Sequence, residues 1–174
     1  MKIYVLSRKE VRKCGYIDKT FFEEPKRYFI SIAGIADGCE YPHPFLTKDS
    51  KRVLHLLFDD VTEKYADNPS IILFNKEHAN KIFEFIKTIP NDSEIYINCA
   101  AGISRSGAVG FVLNEYFNHN DFEHYELFKK VNMQIQPNPM VKRILHETIF
   151  GKTDYSTIFW TWHLIDVCYI INTT

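Results

Sequence analysis

Apolar positions recur along the chain with two periods, and the alternation between them lays out the elements. Residues 2–6 read as a short opening strand. Ser7 follows where it can cap a short helix carrying Arg8, Glu10, Val11 and Arg12. Tyr28-Phe29-Ile30-Ser31-Ile32-Ala33 reads as a second strand. Residues 34–49 hold Gly, Pro and polar residues and predict a loop. The apolar run Arg52-Val53-Leu54-His55-Leu56-Leu57-Phe58, bounded by charge, predicts a buried strand, and a polar stretch leads on to Ser70.

Residues 75–89 carry a broad apolar stripe of Ala79, Ile82, Phe83, Phe85 and Ile86, with Asn75 as a helix cap and Pro90-Asn91-Asp92 as the break. Glu94-Ile95-Tyr96-Ile97 is strand-like, and a buried helix runs from Gly107 to about residue 118. Asp121 can cap a helix over residues 122–131. Pro137-Asn138-Pro139 marks a stop before a last amphipathic helix over 140–150. Strands alternating with helices predict an α/β fold, a central and mostly parallel sheet flanked by helices on both faces. The chain length of 174 residues suits one domain, set at residues 1–150.

The candidate chemistry sits between the last strand and the helix after it: Asn98-Cys99-Ala100-Ala101-Gly102-Ile103-Ser104-Arg105-Ser106-Gly107. A loop of short residues can turn its backbone N–H groups inward as an anion nest. The helix start adds unpaired N–H groups and the positive end of its dipole. Arg105 can grip two oxygens of a phosphate with its planar fork. The same field acts on the cysteine. A free thiol has a pKa of about 8.5, and a helix N-terminus with a nearby cation brings one down to about 3.5–7.5. Ser106 can donate a hydrogen bond to the sulfur when it leaves. An ordinary buried cysteine at a strand end is the plain alternative. It requires the spacing, the small loop, the serine and the strand-to-helix setting to coincide by chance.

Cys99 to Arg105 has the Cys-x5-Arg spacing, followed by Ser106, and resembles the cysteine-based protein tyrosine phosphatases. The likeness is greatest to the compact dual-specificity branch and its bacterial relatives. It is specific at residues 98–107 and diffuse elsewhere between residues 28 and 150. The resemblance implies a phosphatase-like fold, a thiolate nucleophile at Cys99, a cysteinyl-phosphate intermediate and no metal or other cofactor. It makes Arg105 the phosphate clamp, Ser106 the hydroxyl beside the sulfur, and Ala100, Ala101, Gly102, Ile103, Ser104 and Arg105 the substrate-binding cradle. One departure stands out: the family usually carries His before the cysteine, and this chain has Asn98, which can still donate hydrogen bonds.

Expelling a phenolate calls for an acid, a contribution of typically 10²–10⁴-fold. The family supplies an aspartate from a loop after a sheet strand. Asp59 and Asp60 stand there directly, and Asp67 lies further along. Phe58-Asp59-Asp60-Val61 resembles the Phe-x-Asp-aliphatic pattern of the bacterial relatives, which favours Asp60 as the acid over Asp59 and Asp67. Three other features carry plainer readings. Lys26-Arg27-Tyr28 resembles the phosphotyrosine-binding stretch of larger tyrosine-specific enzymes. His55 reads as a packed core histidine. Gln134 and Gln136 read as surface polar residues that can also position water for a second step.

Composition narrows the partners. The formal net charge of −1 gives no bulk basic field for nucleic acid or membrane. Cys14, Cys39, Cys99 and Cys168 form no Cys-x-x-Cys pair, which argues against a zinc site or a disulfide framework and for a reduced, cytoplasmic setting. The opening residues are too short an apolar run for a signal peptide. The loop side chains are uncharged, so a singly phosphorylated substrate fits best: a phosphotyrosine protein or peptide, with phosphoserine and phosphothreonine as further candidates. A phosphate-binding module of the same fold without turnover is the alternative, and sulfur transfer a third class. Residues 151–174 form an apolar, aromatic extension containing His163 and Asp166. It reads as packed on the domain or meeting a partner, and is shorter than a membrane span of about 20 apolar residues.

Overall fold

Alternate residues of a strand face opposite sides of a sheet, and here the two sides are loaded unequally. The structure, a computed structural model, describes residues 1–38, 51–62, 68–119 and 122–151. Strands β1 (Lys2–Ser7), β2 (Arg27–Ala33), β3 (Val53–Leu57) and β4 (Glu94–Cys99) form one sheet in the order β1-β4-β2-β3. All three pairings are parallel, so the sheet is parallel throughout its described strands.

On one side Ile3 and Val5, Ile30 and Ile32, Leu56, and Ile95 and Ile97 are buried in the main core. That core is shared with α2 (Lys76–Ile86), α3 (Arg105–Asn118), α4 (Phe122–Val131) and α5 (Pro139–Phe150). On the other side Phe29 and Tyr96 join Phe21 and Phe22 in a small aromatic cluster, to which Cys14 of α1 (Arg8–Ile17) contributes. Helices thus lie on both faces, as the alternation of elements implies. Each large apolar side chain buried this way stabilises the fold by about 1.5–3 kcal/mol.

Caps fix the helix starts. Ser7 Oγ accepts the Glu10 N–H at 3.1 Å while Glu10 Oε2 accepts the Ser7 N–H at 2.7 Å, a reciprocal box. Asn75 Oδ1 accepts from Glu77 and His78. Asn138 caps α5, which begins one residue earlier than the amphipathic pattern suggests because Pro139 suits a first helical turn. The expected cap Asp121 lies outside the described residues, as do Cys39, Cys168, Asp67 and residues 152–174.

β1 is an edge strand, and a side chain covers its outer rim. Asn132 Oδ1 accepts the Val5 N–H at 2.7 Å, and Asn132 Nδ2 donates to Ile3 O at 3.1 Å. One amide thereby makes the donor-and-acceptor pair a further strand would supply. Gln134 Nε2 adds a bond to Val5 O at 3.0 Å. Gln134 is exposed, as expected of a surface polar residue, and this contact places part of its amide on the sheet edge.

Candidate active site

β4 ends at Cys99 and α3 begins at Arg105, so the residues between them must turn the chain from strand to helix. Gly102 makes the turn possible. Its φ is +74°, and a Cβ there would lie 2.4 Å from Ser7 N and 2.5 Å from Leu6 C. The loop is therefore pressed onto the junction of β1 and α1, where Arg8 N donates to Ala100 O at 3.3 Å. On its other side Gln136 N donates to Ile103 O at 3.1 Å and Asn138 N to Ser104 O at 3.2 Å. Backbone bonds thus clamp the loop from both flanks. Ala101 is exposed at its tip, and Ala100, Ile103 and Ser104 are half-buried.

Ser106 and Gly102 both meet one sulfur. Cys99 Sγ lies 3.0 Å from Ser106 Oγ and accepts the Gly102 N–H at 3.3 Å. That is where a departing thiolate needs hydrogen bonds. Cys99, Arg105 and Ser106 are all buried. Asn98, on the opposite face of β4, is also buried, and its Nδ2 finds no hydrogen-bond acceptor among the described residues.

The Arg105 fork is held by two fixed acceptors. Nη1 donates to Phe58 O at 3.0 Å, and Nη2 to Asp37 Oδ1 at 2.8 Å. Burial works against the charge, but the hydrogen bond and charge of Asp37, with Cys99 and Asp60, outweigh it and raise the guanidinium above its ordinary pKa. Nε is buried without a hydrogen-bond partner among the described residues and lies 3.9 Å from Asp60 Oδ2. This leaves an N–H available to an oxyanion.

Asp37 is the site residue that sequence reasoning missed. It ends a single 3-10 turn, Ile35–Asp37, inside the stretch read only as a loop. Its Oδ2 accepts the Gly34 N–H at 2.7 Å, which leaves Oδ1 for Arg105. Gly34 permits the approach, since a Cβ there would fall 2.6 Å from Asp59 Oδ1 and 2.8 Å from Arg105 Nη1. The local signal is a glycine followed three residues later by an aspartate, a short-range capping pattern. Nothing in it names Arg105 as the partner.

The candidate acids separate by geometry. Asp59 is buried, with Oδ1 accepting from Ala36 N at 3.1 Å and Oδ2 from Ile72 N at 2.8 Å. It ties two loops together, with each oxygen bonded to a backbone N–H. Asp60 is exposed, and its Oδ1 accepts from Ser104 Oγ at 2.7 Å and Asn138 Nδ2 at 3.0 Å. It therefore stands over the loop.

The Lys26-Arg27-Tyr28 likeness is corrected by the register. Arg27 pairs with Glu94 at the amino end of β4, while Cys99 ends that strand. At about 3.3 Å per residue the stretch lies roughly 17 Å from the sulfur. Lys26 and Arg27 form ion pairs there with Asp92 and with Asp18 and Glu94. His55 lies half-buried in β3, as expected of a packed histidine. Among the described residues no group of three or more His, Cys, Asp or Glu is placed to hold a metal ion. No helix among them is long and apolar enough to cross a membrane.

No family model matches the chain, and no curated protein matches it. Among solved structures, PTPMT1 in complex with PI(5)P aligns at 18% identity and a TM-score of 0.45, covering 85% of this chain and 90% of that one. A second PTPMT1 crystal structure aligns at 19% identity and the same TM-score, covering 85% and 89%. Likenesses this distant decide nothing about the chemistry, which rests on the geometry above.

Proposed function

We propose that the chain is a phosphoric monoester hydrolase acting on phosphotyrosine, with phosphoserine and phosphothreonine as further substrates, through a cysteinyl-phosphate on Cys99. The observation that carries this reading is one convergence. A buried thiol shares a hydrogen bond with Ser106 and accepts one from Gly102, the guanidinium Nε has no hydrogen-bond partner among the described residues, and an aspartate oxygen stands 3.9 Å from that Nε.

In this reading the Cys99 thiolate attacks phosphorus as the bond to the leaving phenol oxygen breaks. The transition state is loose, with charge on the equatorial oxygens and on the departing oxygen. Arg105 Nε and the loop N–H groups meet the first, and a proton from Asp60 meets the second. Water then attacks the cysteinyl-phosphate and gives its proton to Asp60. The sulfur leaves as thiolate, stabilised by the Ser106 hydroxyl and the Gly102 N–H, and inorganic phosphate departs. The uncharged side chains of Ala100, Ala101, Ile103 and Ser104 fit a substrate with one phosphate, on a protein or peptide, and a free thiol suits a reduced cytoplasm.

The test is release of phenol from phenyl phosphate and of phosphate from a phosphotyrosine peptide, with and without chelator. Turnover unchanged by chelator and abolished in Cys99→Ser, with binding of phosphate analogues retained, is the expected result. Turnover within tenfold of wild type in that variant ends the cysteine mechanism. Phosphate binding without any turnover in the wild type leaves the binding-module alternative.

A further inference from the structure

We infer that Asn138 is a positioning residue that fixes Asp60 over the phosphate loop, with Asp60 Oδ1 as the anchored oxygen and Oδ2 as the one that carries the proton. The inference rests on the reading of Asp60 as the acid.

Asn138 is buried, and its backbone N–H and both side-chain polar atoms are engaged. Its N–H donates to Ser104 O at 3.2 Å in the phosphate loop. Its Oδ1 accepts from Met140 N at 3.0 Å and Val141 N at 3.2 Å, which caps α5. Its Nδ2 donates to Asp60 Oδ1 at 3.0 Å and to Val61 O at 3.2 Å. One side chain thus joins the helix, the loop and the segment that bears the acid. The first helical turn needs a side-chain acceptor, which Asp, Ser or Thr can also provide. The Asp60 carboxylate and the Val61 carbonyl need donors on that same side chain. Asparagine offers both at that length.

Among the described residues, Asp60 accepts its hydrogen bonds on one oxygen. Ser104 Oγ at 2.7 Å and Asn138 Nδ2 at 3.0 Å both reach Oδ1. Oδ2 forms a long ion pair with Arg105 Nε at 3.9 Å, and that Nε, which has no hydrogen-bond partner among the described residues, lies beside the place an oxyanion would occupy. Anchoring Oδ1 fixes the rotation of the carboxyl group. Oδ2 then gives its proton to the leaving oxygen and takes one back from the attacking water.

The experiment separates capping from positioning. Asn138→Asp keeps an oxygen for the α5 cap but turns both donors into an acceptor opposite Asp60 and Val61 O. Asn138→Ser keeps a short cap and withdraws the donors without adding charge. Both are assayed on phenyl phosphate and on an activated dinitrophenyl phosphate. The expected loss is about 10²-fold in kcat on phenyl phosphate, the scale of a misplacement of about 1 Å. The expected loss on the activated ester is about threefold or less, because that leaving group needs no acid. In an Asp60→Ala background the leaving-group-dependent loss should vanish. Equal losses on both esters, or an undiminished loss in that background, overturn the inference. A second cycle reads the bond without turnover: the melting shifts of Asn138→Ser and Asp60→Ala should be non-additive, and additive shifts overturn it. If the wild type hydrolyses no aryl phosphate, the proposed activity fails, and the melting cycle alone decides whether Asn138 holds Asp60.

Discussion

Arg105 Nη2 and Asp37 Oδ1 meet at 2.8 Å, and their side chains are only 3% and 12% exposed. A buried charge pair is weak evidence for stability, since desolvation offsets much of the attraction. Its value here is directional. With Nη2 on Asp37 and Nη1 on Phe58 O, the guanidinium plane is fixed, which sets the directions of Nε–H and of the second N–H on each terminal nitrogen.

Removing the carboxylate should therefore cost both stability and aim. Breaking a buried pair by deleting one partner typically costs about 3–5 kcal/mol. For Asp37→Ala we expect about 3 kcal/mol, because Phe58 O and Asp60 still share the charge. Weaker binding of phosphate analogues should accompany it. Asp37→Asn keeps an acceptor for Arg105 and should lose less on both counts. Denaturant titration and analogue binding check this. Stability in Asp37→Ala within about 0.5 kcal/mol of wild type, the range of ordinary surface changes, would refute the directional role.

The two adjacent aspartates should fail in different ways. Asp60→Ala should lose about 10²–10⁴-fold on phenyl phosphate and far less on an activated aryl phosphate. Asp59→Ala removes two backbone-to-carboxylate bonds, each contributing about 1.5–3 kcal/mol, so it should destabilise by about 3 kcal/mol or more. Its rate loss should be the same on both esters. A steep leaving-group dependence in Asp59→Ala, with Asp60→Ala flat, moves the acid role to Asp59.

Two glycines with positive φ make a matched pair. Gly102→Ala meets backbone atoms at 2.4 and 2.5 Å, whereas a Cβ on Gly38 at φ +58° meets no described residue within 4 Å. Gly38→Ala should cost about 1–2 kcal/mol, the conformational penalty alone. Gly102→Ala should cost clearly more and should also displace the N–H that reaches Cys99. Anion binding lost only in the Gly102 variant is the expected pattern. Equal effects in the two variants would mean that the contact with Ser7 and Leu6 yields freely.

The parts legible in the sequence are those written locally. Cys99, Gly102, Arg105 and Ser106 fall within eight positions, and a strand before and a helix after give them one geometry. Ser7 and Asn75 announce their helices because caps act over three residues. Pairings across the chain are not written that way. Asp37 needs the turn after β2 to land beside the start of α3, which follows from the sheet order and not from any neighbour of residue 37. Lys26-Arg27-Tyr28 misleads for the same reason. Its place is set by the pairing of Arg27 with Glu94, at the far end of β4 from the sulfur. Asp59 and Asp60 both follow β3 directly, and the contacts that part them come from distant segments: Ala36 and Ile72 N–H on Asp59, Ser104 and Asn138 on Asp60.

Asn132 also has a consequence for the company the protein keeps. A sheet that stops at a bare rim is a template on which any passing extended chain can polymerise. With Val5 N–H and Ile3 O both bound to one amide, an intruding strand must first evict Asn132 and then rebuild the bonds it has broken. Gln134 doubles the toll on Val5 O. The β1 side of the sheet is thereby guarded against fibre growth by two polar side chains, one of them tied back to Phe128 O of α4 at 2.9 Å.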